Sequence, residues 1–242
     1  MEEIKTKAIV LSSKDYKEKD KLVNLFSLEL GNITATLKGC KSPTSKLRFA
    51  YQPFCFADFL IGKQNGHYMI INCTLLESFF DIVNNPSDYM QSSLMLEIVQ
   101  NLKYIEEYQK VFIELLYSLK AICYDKVNCK LVCEKFMLNI LKTLGFSFNF
   151  KCCMQCKLPF INNIYLNLDS GALLCHNCNN MEDLLVSKNE LANMRIIDSC
   201  EYSRLNTIKI KQEVLDSILK LTLLDLEERL LLKLKSRQYL IN

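Results

Sequence analysis

Two pairs of cysteines have the residue type and spacing of a metal site. Cys153 and Cys156 form one C-x2-C pair, and Cys175 and Cys178 form a second after 18 intervening residues. Two residues between thiolates let one tight turn aim both sulfurs at a single ion. The spacing of the two pairs is typical of four-cysteine zinc sites. Because four thiolates close a tetrahedral shell, we predict one structural zinc ion with no open position to activate water.

A thiol redox enzyme is the main chemical alternative for these cysteines. One C-x-x-C can exchange dithiol and disulfide, but that chemistry uses one pair and leaves the other idle. Neither pair opens a helix after a strand, as a thioredoxin-like motif would. Four free thiols in two surface turns are the other alternative. His176 lies between the ligands of the second pair, and we expect its ring to project away from the ion.

A basic segment at residues 38–48 is the second candidate site. It contains four cations and no acid: Lys38, Lys41, Lys46 and Arg48. Its Gly, Ser and Pro residues predict a loop after a strand, and cations in such a loop can follow a phosphate backbone. An ordinary solvated basic loop is the alternative. Nearby aromatic residues are possible stacking platforms for bases, although most are expected in the core: Phe49, Tyr51, Phe54, Phe56 and Phe59.

The composition is typical of a globular protein with a hydrophobic core, and the distribution of charge favours a binding function. The 242 residues are 50% hydrophobic and 24% charged, as in soluble globular proteins. Residues 1–80 hold 11 Lys and Arg against 8 Asp and Glu, and the remainder holds 19 of each. The whole excess of positive charge therefore lies in the N-terminal third, which indicates an anionic partner there.

No membrane or export segment is expected. No apolar run approaches the roughly 20 residues that span a bilayer, and the N-terminus lacks the pattern of a secretory signal. We therefore expect a cytoplasmic, reducing location without a membrane partner. In that setting the twelve cysteines are metal ligands and small buried hydrophobes, and not a disulfide framework.

Catalytic motifs are missing from the sequence. The two histidines, His67 and His176, lie in no nucleophile or metalloprotease motif, and no phosphate-binding loop is present. Asp15, Glu18 and Asp20 alternate with lysines and are expected to form a solvated turn. We predict a protein that binds and is not an enzyme.

The predicted secondary structure changes from strands to helices near residue 85. Five short apolar runs with polar turns predict a small β-barrel or sandwich: residues 4–11, 22–28, 33–38, 54–61 and 68–76. Helical periodicity follows, with Ser87 as the expected N-cap, over residues 90–105, 111–122 and 132–144, where Gly145 ends it. After the cysteine pairs, helical pattern resumes near Ser187 and includes an apolar stretch at residues 219–234.

Several stretches in this order resemble the RecO family of bacterial recombination mediators, over nearly the whole chain. The residues that carry the resemblance are Ala8–Leu11, Tyr16, Glu18, Asp20, Leu22, Val23, Phe26, Gly31, Lys38, Gly39, Gln52–Phe54, Phe136–Phe146, Gly171–Leu174, the four cysteines, and Leu234–Leu240 without Gln238. The cysteine frame is the most specific of them.

The resemblance implies a multidomain α+β protein. Residues 1–80 would form an N-terminal OB-fold β-barrel that binds nucleic acid. Residues 81–242 would form an all-α helical domain, interrupted at about 151–180 by a four-cysteine, zinc-ribbon-like insert. Cys153, Cys156, Cys175 and Cys178 match the family's zinc ligands.

The resemblance also implies a function in DNA repair and recombination. Members of the family bind single- and double-stranded DNA, anneal complementary strands, and help to load RecA onto strands coated by single-strand binding protein. They work with RecR, with the C-terminal tail of single-strand binding protein and, in many settings, with RecF, and they hydrolyse no ATP. A cytoplasmic, nucleoid-associated location follows.

The family's DNA-contacting region corresponds to the basic loop, so Lys38, Lys41, Lys46 and Arg48 are the expected contacts. This loop is less basic than in many relatives, so DNA contact is expected to be shared with Lys5, Lys7 and Lys63. No motif marks a groove for the tail of single-strand binding protein. Two alternatives stay open: a zinc-containing OB-fold accessory factor that binds structured RNA, and a scaffold whose barrel binds protein only.

Overall fold

The computed structural model describes residues 2–102 and 106–239. Packing divides the chain into two compact units, Met1–Cys123 and Tyr124–Asn242. None of the described helices combines the length and apolar character needed to cross a membrane.

The first unit begins with a closed five-stranded barrel. Its strands are β1 (Glu2–Tyr16), β2 (Asp20–Ser27), β3 (Gly31–Leu37), β4 (Cys55–Gln64) and β5 (His67–Ser78). Their order around the barrel is β1-β2-β3-β5-β4, with β3 and β5 parallel and β4 paired antiparallel with β1. This arrangement is OB-like and confirms the expected fold of the N-terminal region.

Alternating side chains build the barrel core. Ile33, Ala35 and Leu37 of β3 are buried, while the residues between them face outward. Each strand is longer than its apolar run predicted, because ladder pairing continues into polar residues. The β1–β2 ladder, for example, extends to the pair Tyr16 and Asp20. The β4–β5 ladder likewise extends to the pair Gln64 and His67. The β1–β2 and β4–β5 hairpins therefore project beyond the core and carry polar and aromatic side chains at their tips.

Two helices complete the first unit: α1 (Pro86–Asn101) and α2 (Tyr108–Cys123). The expected N-cap at Ser87 is wrong: Oδ1 of Asn85 caps α1 by accepting from the backbone N–H groups of Ser87, at 2.9 Å, and Asp88, at 3.3 Å. Pro86 lacks an N–H and suits the first helical position. Ile105, the last residue of the predicted periodic pattern, lies outside the described residues.

These helices pack on the barrel. The ring of Phe112 in α2 lies 5.8 Å from that of Phe26 and 6.0 Å from that of Phe56, centroid to centroid. Nδ2 of Asn32 in β3 donates to the carbonyl oxygen of Val99 in α1 at 2.7 Å. Because the apolar faces of α1 and α2 are buried within this unit, the compact units divide after Cys123, whereas the sequence predicted a domain boundary at residue 80.

The second unit combines three helices with a small sheet. The helices are α3 (Cys129–Thr143), α4 (Lys188–Ser199) and α5 (Gln212–Arg229), and the strands β6 (Ile164–Asn167), β7 (Ala172–Cys175) and β8 (Leu184–Val186) pair antiparallel in the order β7-β6-β8. Gly145, at φ +84°, follows the end of α3 as expected. The apolar stretch at residues 219–234 extends beyond the helix that contains it. Helix α5 ends at Arg229, and Leu231 adopts φ +50°.

Buried acids lie between α3 and α5. Oε1 of Glu134 accepts a hydrogen bond from the Thr222 hydroxyl at 2.7 Å, and both side chains are fully buried. Burial raises the pKa of Glu134 to about 8, although the bond from Thr222 acts in the opposite direction. Glu134 therefore carries a proton at neutral pH in the folded protein.

Candidate metal centre and nucleic-acid interface

The structure brings all four predicted ligands together. The sulfurs of Cys153, Cys156, Cys175 and Cys178 all lie within 4.8 Å of one another. Sγ of Cys156 and Sγ of Cys175 are 3.7 Å apart, close to the separation of about 3.8 Å that a tetrahedral zinc site with Zn–S bonds of about 2.3 Å requires. The donor set and its spacing therefore fit a metal ion.

Two tight turns present these thiols. The N–H of Lys157 donates to the carbonyl oxygen of Cys153 at 2.9 Å, and Lys157 adopts φ +63°. In the second turn, the N–H groups of Cys178 and Asn179 donate to the carbonyl oxygen of Cys175, at 3.0 and 3.1 Å. Cys175 is also the last residue of β7, so the small sheet fixes one turn directly.

Backbone dipoles favour a thiolate in this cluster. Burial raises the pKa of the Cys153 thiol, but hydrogen bonds from the backbone of Cys156, Cys175 and Gln155 outweigh it and lower that pKa to about 6. Burial and the neighbouring thiols raise the pKa of Cys178 to about 12. Four thiolates this close would repel one another, and a bound dication would stabilise the thiolate form of each.

Cys152 and His176 adjoin the predicted ligands in the sequence, but neither belongs to the cysteine cluster. Nδ2 of Asn149 donates to the Cys152 sulfur at 3.5 Å, and Cys152 lies outside the cluster. The His176 ring faces Tyr165 instead, with Nδ1 3.5 Å from the tyrosine hydroxyl. The prediction that His176 is not a ligand agrees with this geometry.

An arginine supports the segment that carries the cysteines. Nε of Arg229 donates to Oδ1 of the fully buried Asp225 at 2.9 Å. The guanidinium carbon lies 5.5 Å from the ring centroid of Phe146 and 5.8 Å from that of Phe148. It also covers Gly171 in the β6–β7 turn so closely that a Cβ there would lie 1.4 Å from Nη2. Arg229 thus joins the end of α5 to the turn between the cysteine pairs.

The four cations of the basic loop are all exposed. Nζ of Lys41 lies 3.3 Å from Oδ2 of Asp15, whose pKa is lowered by hydrogen bonds and charge from Lys21 and Lys41. The N–H of Lys41 donates to the carbonyl oxygen of Lys19 at 3.2 Å, which holds the loop against the β1–β2 hairpin. Within the described part of the chain, Lys38, Lys46 and Arg48 make no ion pair. The expected phosphate contacts are therefore available, with Lys41 partly neutralised.

The five aromatic residues near the loop differ in how deeply they are buried. Phe54, Phe56 and Phe59 are buried, in agreement with the expectation of a core role, while Phe49 and Tyr51 are half-buried. Nζ of Lys21 lies 4.8 Å from the centroid of the Tyr51 ring. The buried three cannot stack on a base without disrupting the packing of the first unit.

A groove of about 450 Å³ opens at the hairpin end of the barrel. The β1–β2 hairpin contributes Tyr16 and Lys17, the end of β3 contributes Lys38, and the β4–β5 hairpin contributes His67 and Tyr68. Of the four predicted loop cations, only Lys38 lines it. Tyr16, His67 and Tyr68 were missed as candidate contacts, although the signal was present: each adjoins a predicted turn, where a side chain beyond the core is free to meet a ligand.

Sequence comparisons match the chain in two parts that meet near residue 80. Residues 1–79 match the family model described as recombination protein O N terminal, and residues 84–238 match recombination protein O C terminal. Proteins named DNA repair protein RecO are similar over most of their length. That of Caldicellulosiruptor saccharolyticus is 28% identical over 91% of this chain and 90% of its own. The protein of Clostridium kluyveri is 28% identical over 98% of this chain and 93% of its own length. The protein of Acetivibrio thermocellus is 27% identical over 95% of this chain and 93% of its own length. Since the two models together span nearly all of the sequence, the chain belongs to the RecO family.

Proposed function

We propose that this chain is a DNA-binding recombination mediator in recombinational DNA repair. It binds single- and double-stranded DNA, anneals complementary strands, and helps to load RecA onto strands coated by single-strand binding protein. Membership of the RecO family supports the repair role. The binding, annealing and loading steps are the proposed part.

The observation that carries this proposal is the exposed basic loop on an OB-like barrel. Lys38, Lys41, Lys46 and Arg48 project from one segment that is fixed at the β1–β2 hairpin. Cations held on a rigid barrel can neutralise successive phosphates and release the counterions condensed on DNA. Phosphate contacts carry no sequence information, which suits a protein that must act on any damaged strand. Lys63, beside Tyr68, extends the positive charge toward the β4–β5 hairpin.

The cysteine cluster has a separate role in this proposal. Cys153, Cys156, Cys175 and Cys178 hold one zinc ion that closes the turns around β6 and β7. The metal supplies structure, and no reaction is assigned to it, because four thiolates leave no coordination position for a substrate. The protein acts by binding and not as an enzyme.

Its protein partners follow from the same proposal. RecR and the C-terminal tail of single-strand binding protein are the expected direct partners, with RecF and RecA in the same process, in the cytoplasm at the nucleoid. Annealing of complementary DNA oligonucleotides coated with single-strand binding protein, followed with and without RecR, tests the mediator role. A protein that anneals matched RNA and leaves DNA unpaired would instead be an RNA-binding accessory factor.

DNA contact by the loop is tested by salt dependence. The variant carrying Lys38→Ala, Lys41→Ala, Lys46→Ala and Arg48→Ala is expected to bind DNA more weakly. Its slope of log K against log salt should be shallower by roughly 3 to 4, about one for each phosphate that is no longer neutralised. The matched control removes four exposed lysines of the second unit: Lys142, Lys188, Lys209 and Lys211. An unchanged slope in the loop variant, or an equal change in the control, would reject the loop as the contact.

A further inference from the structure

The groove at the hairpin end of the barrel contains aromatic rings as well as cations. Tyr16 is 39% exposed, His67 is exposed and Tyr68 is half-buried, and all three line the same groove with Lys17 and Lys38. The rings come from two hairpins about 50 residues apart in the chain. Within one groove the fold has therefore collected three aromatic rings, of which Tyr68 also packs against the barrel core.

Each tyrosine has a lysine beside its face. Nζ of Lys17 lies 5.3 Å from the centroid of the Tyr16 ring, and Nζ of Lys63 lies 5.6 Å from that of Tyr68. A cation at this distance over a ring is attracted to that face of the ring. It is then placed to meet the phosphate of a nucleotide whose base stacks on the opposite face.

The acid in the groove is already engaged. Oδ1 of Asp20 accepts a hydrogen bond from the N–H of Gly39 at 2.8 Å, at the start of the basic loop. This hydrogen bond partly offsets the negative charge of Asp20. Lys17 and Lys38 leave the groove with net positive charge, which attracts a polyanion and not a neutral ligand.

Aromatic faces interleaved with cations match the chemistry of single-stranded nucleic acid. Every base has a face that can stack on an aromatic ring, and the cations follow the backbone without reading sequence. A duplex cannot use the rings in this way, because its bases are stacked on both sides and must first be unstacked.

We propose that Tyr16 and Tyr68 are stacking platforms for the unpaired bases of single-stranded DNA, and that they give this groove its selectivity for single strands over duplex. The proposal rests on the proposed function and divides it between two surfaces. The loop cations Lys41, Lys46 and Arg48 contact the phosphates of either DNA form, whereas the tyrosines contact only a strand whose bases are free.

The test compares three fluorescein-labelled probes of equal length by anisotropy at one salt concentration: oligothymidylate, an abasic sugar–phosphate strand, and a duplex. Tyr16→Leu combined with Tyr68→Leu keeps apolar bulk, so the half-buried position of Tyr68 stays packed. This variant is expected to bind oligothymidylate at least roughly fivefold more weakly, since stacking contributes about 1–3 kcal/mol for each base. Its affinity for the abasic strand and the duplex should stay within about twofold of the wild type.

Two controls separate stacking from damage to the fold. Tyr16→Phe with Tyr68→Phe keeps the rings and should retain oligothymidylate affinity, and Tyr117→Leu removes an exposed tyrosine outside the groove. Because the chain has no Trp, stacking also appears as quenching of tyrosine fluorescence, and Tyr16→Leu alone, at an exposed position, should reduce it.

The outcomes distinguish the groove from the loop. If the leucine variant is folded and its preference for oligothymidylate over the abasic strand is unchanged, or if its duplex affinity falls equally, the stacking role is wrong while DNA binding by the loop stands. If the wild type binds an oligouridylate probe in the same tyrosine-dependent way but binds no DNA, the proposed function fails and the groove remains a single-strand site. If neither nucleic acid binds, both proposals are overturned.

Discussion

The barrel and the cysteine cluster use chemically active side chains in opposite ways. On the barrel, Tyr16 and the loop cations are exposed to solvent, and they can act only when a ligand binds. In the second unit, Cys153 is fully buried and the four sulfurs lie close together, so a single ion would satisfy them all. A side chain of the first kind should affect binding and leave stability intact, while one of the second kind should do the reverse.

The largest expected effect is the loss of a metal ligand. Cys153→Ser or Cys175→Ser should abolish tight zinc binding and lower the free energy of unfolding of the second unit by several kcal/mol, on the order of 3–5. Elemental analysis and thermal unfolding measure these effects. Cys152→Ser is the matched control, because that thiol adjoins the cluster without joining it. Metal-free protein with reversible dithiol–disulfide turnover would support a redox enzyme instead.

A smaller loss of stability is expected at Gly171. In Gly171→Ala the new methyl group would overlap the guanidinium of Arg229, and the backbone is held at φ +58°. Displacing Arg229 leaves the buried Asp225 short of its partner, so we expect a loss of roughly 2–3 kcal/mol. Gly145→Ala, also at positive φ but with open space around it, should cost about 1 kcal/mol. Urea unfolding compares the two, and equal losses would show that the contact with Arg229 is unimportant.

The buried Glu134 should make stability depend on pH in the second unit. Its pKa is raised from an ordinary value of 4.5 to about 8, so between these values the folded state holds a proton that the unfolded state has released. Stability from this group is therefore lost as pH rises from about 4.5 to 8, and is constant above. Glu134→Gln should remove this slope in urea unfolding of the metal-loaded protein. Asp225, whose pKa burial raises from 3.8 to about 6, leaves a similar slope over the narrower range between these two values.

The smallest expected effect lies on the barrel, at Asp15. This carboxylate pairs with Lys21 and Lys41 and competes with a phosphate for the loop. Asp15→Asn should therefore raise DNA affinity roughly two- to fivefold at low salt, with less gain at high salt. Glu2→Gln, an exposed change of equal charge on the same strand, is the control in the same anisotropy titration. A gain of equal size in the control would mean that net charge matters and the ion pair does not.

Local patterns in the sequence were sufficient for much of this molecule. The spacing of the cysteine pairs predicted the cluster, because two residues between ligands leave little freedom in how one turn places both sulfurs. Short apolar runs between polar turns predicted the five strands, and periodicity with Gly145 predicted the end of α3. An error occurred at the start of α1, where Asn85 and not Ser87 is the cap, because capping residues decide where a helix begins and hydrophobic periodicity carries little information there.

Residues close together in the chain were enough to predict the strands, the helices and the two C-x2-C pairs that form the cluster, and motifs spread along the chain were enough to indicate the family. The tertiary structure alone decided which distant residues meet. Barrel closure brings the tips of two hairpins together, so that Tyr16 and Tyr68 share a groove, and it sets Lys41 beside Asp15. Packing of α5 lays Arg229 over Gly171. Such contacts depend on long-range strand pairing and core packing, which no local spacing encodes, and the groove therefore became visible only in the fold.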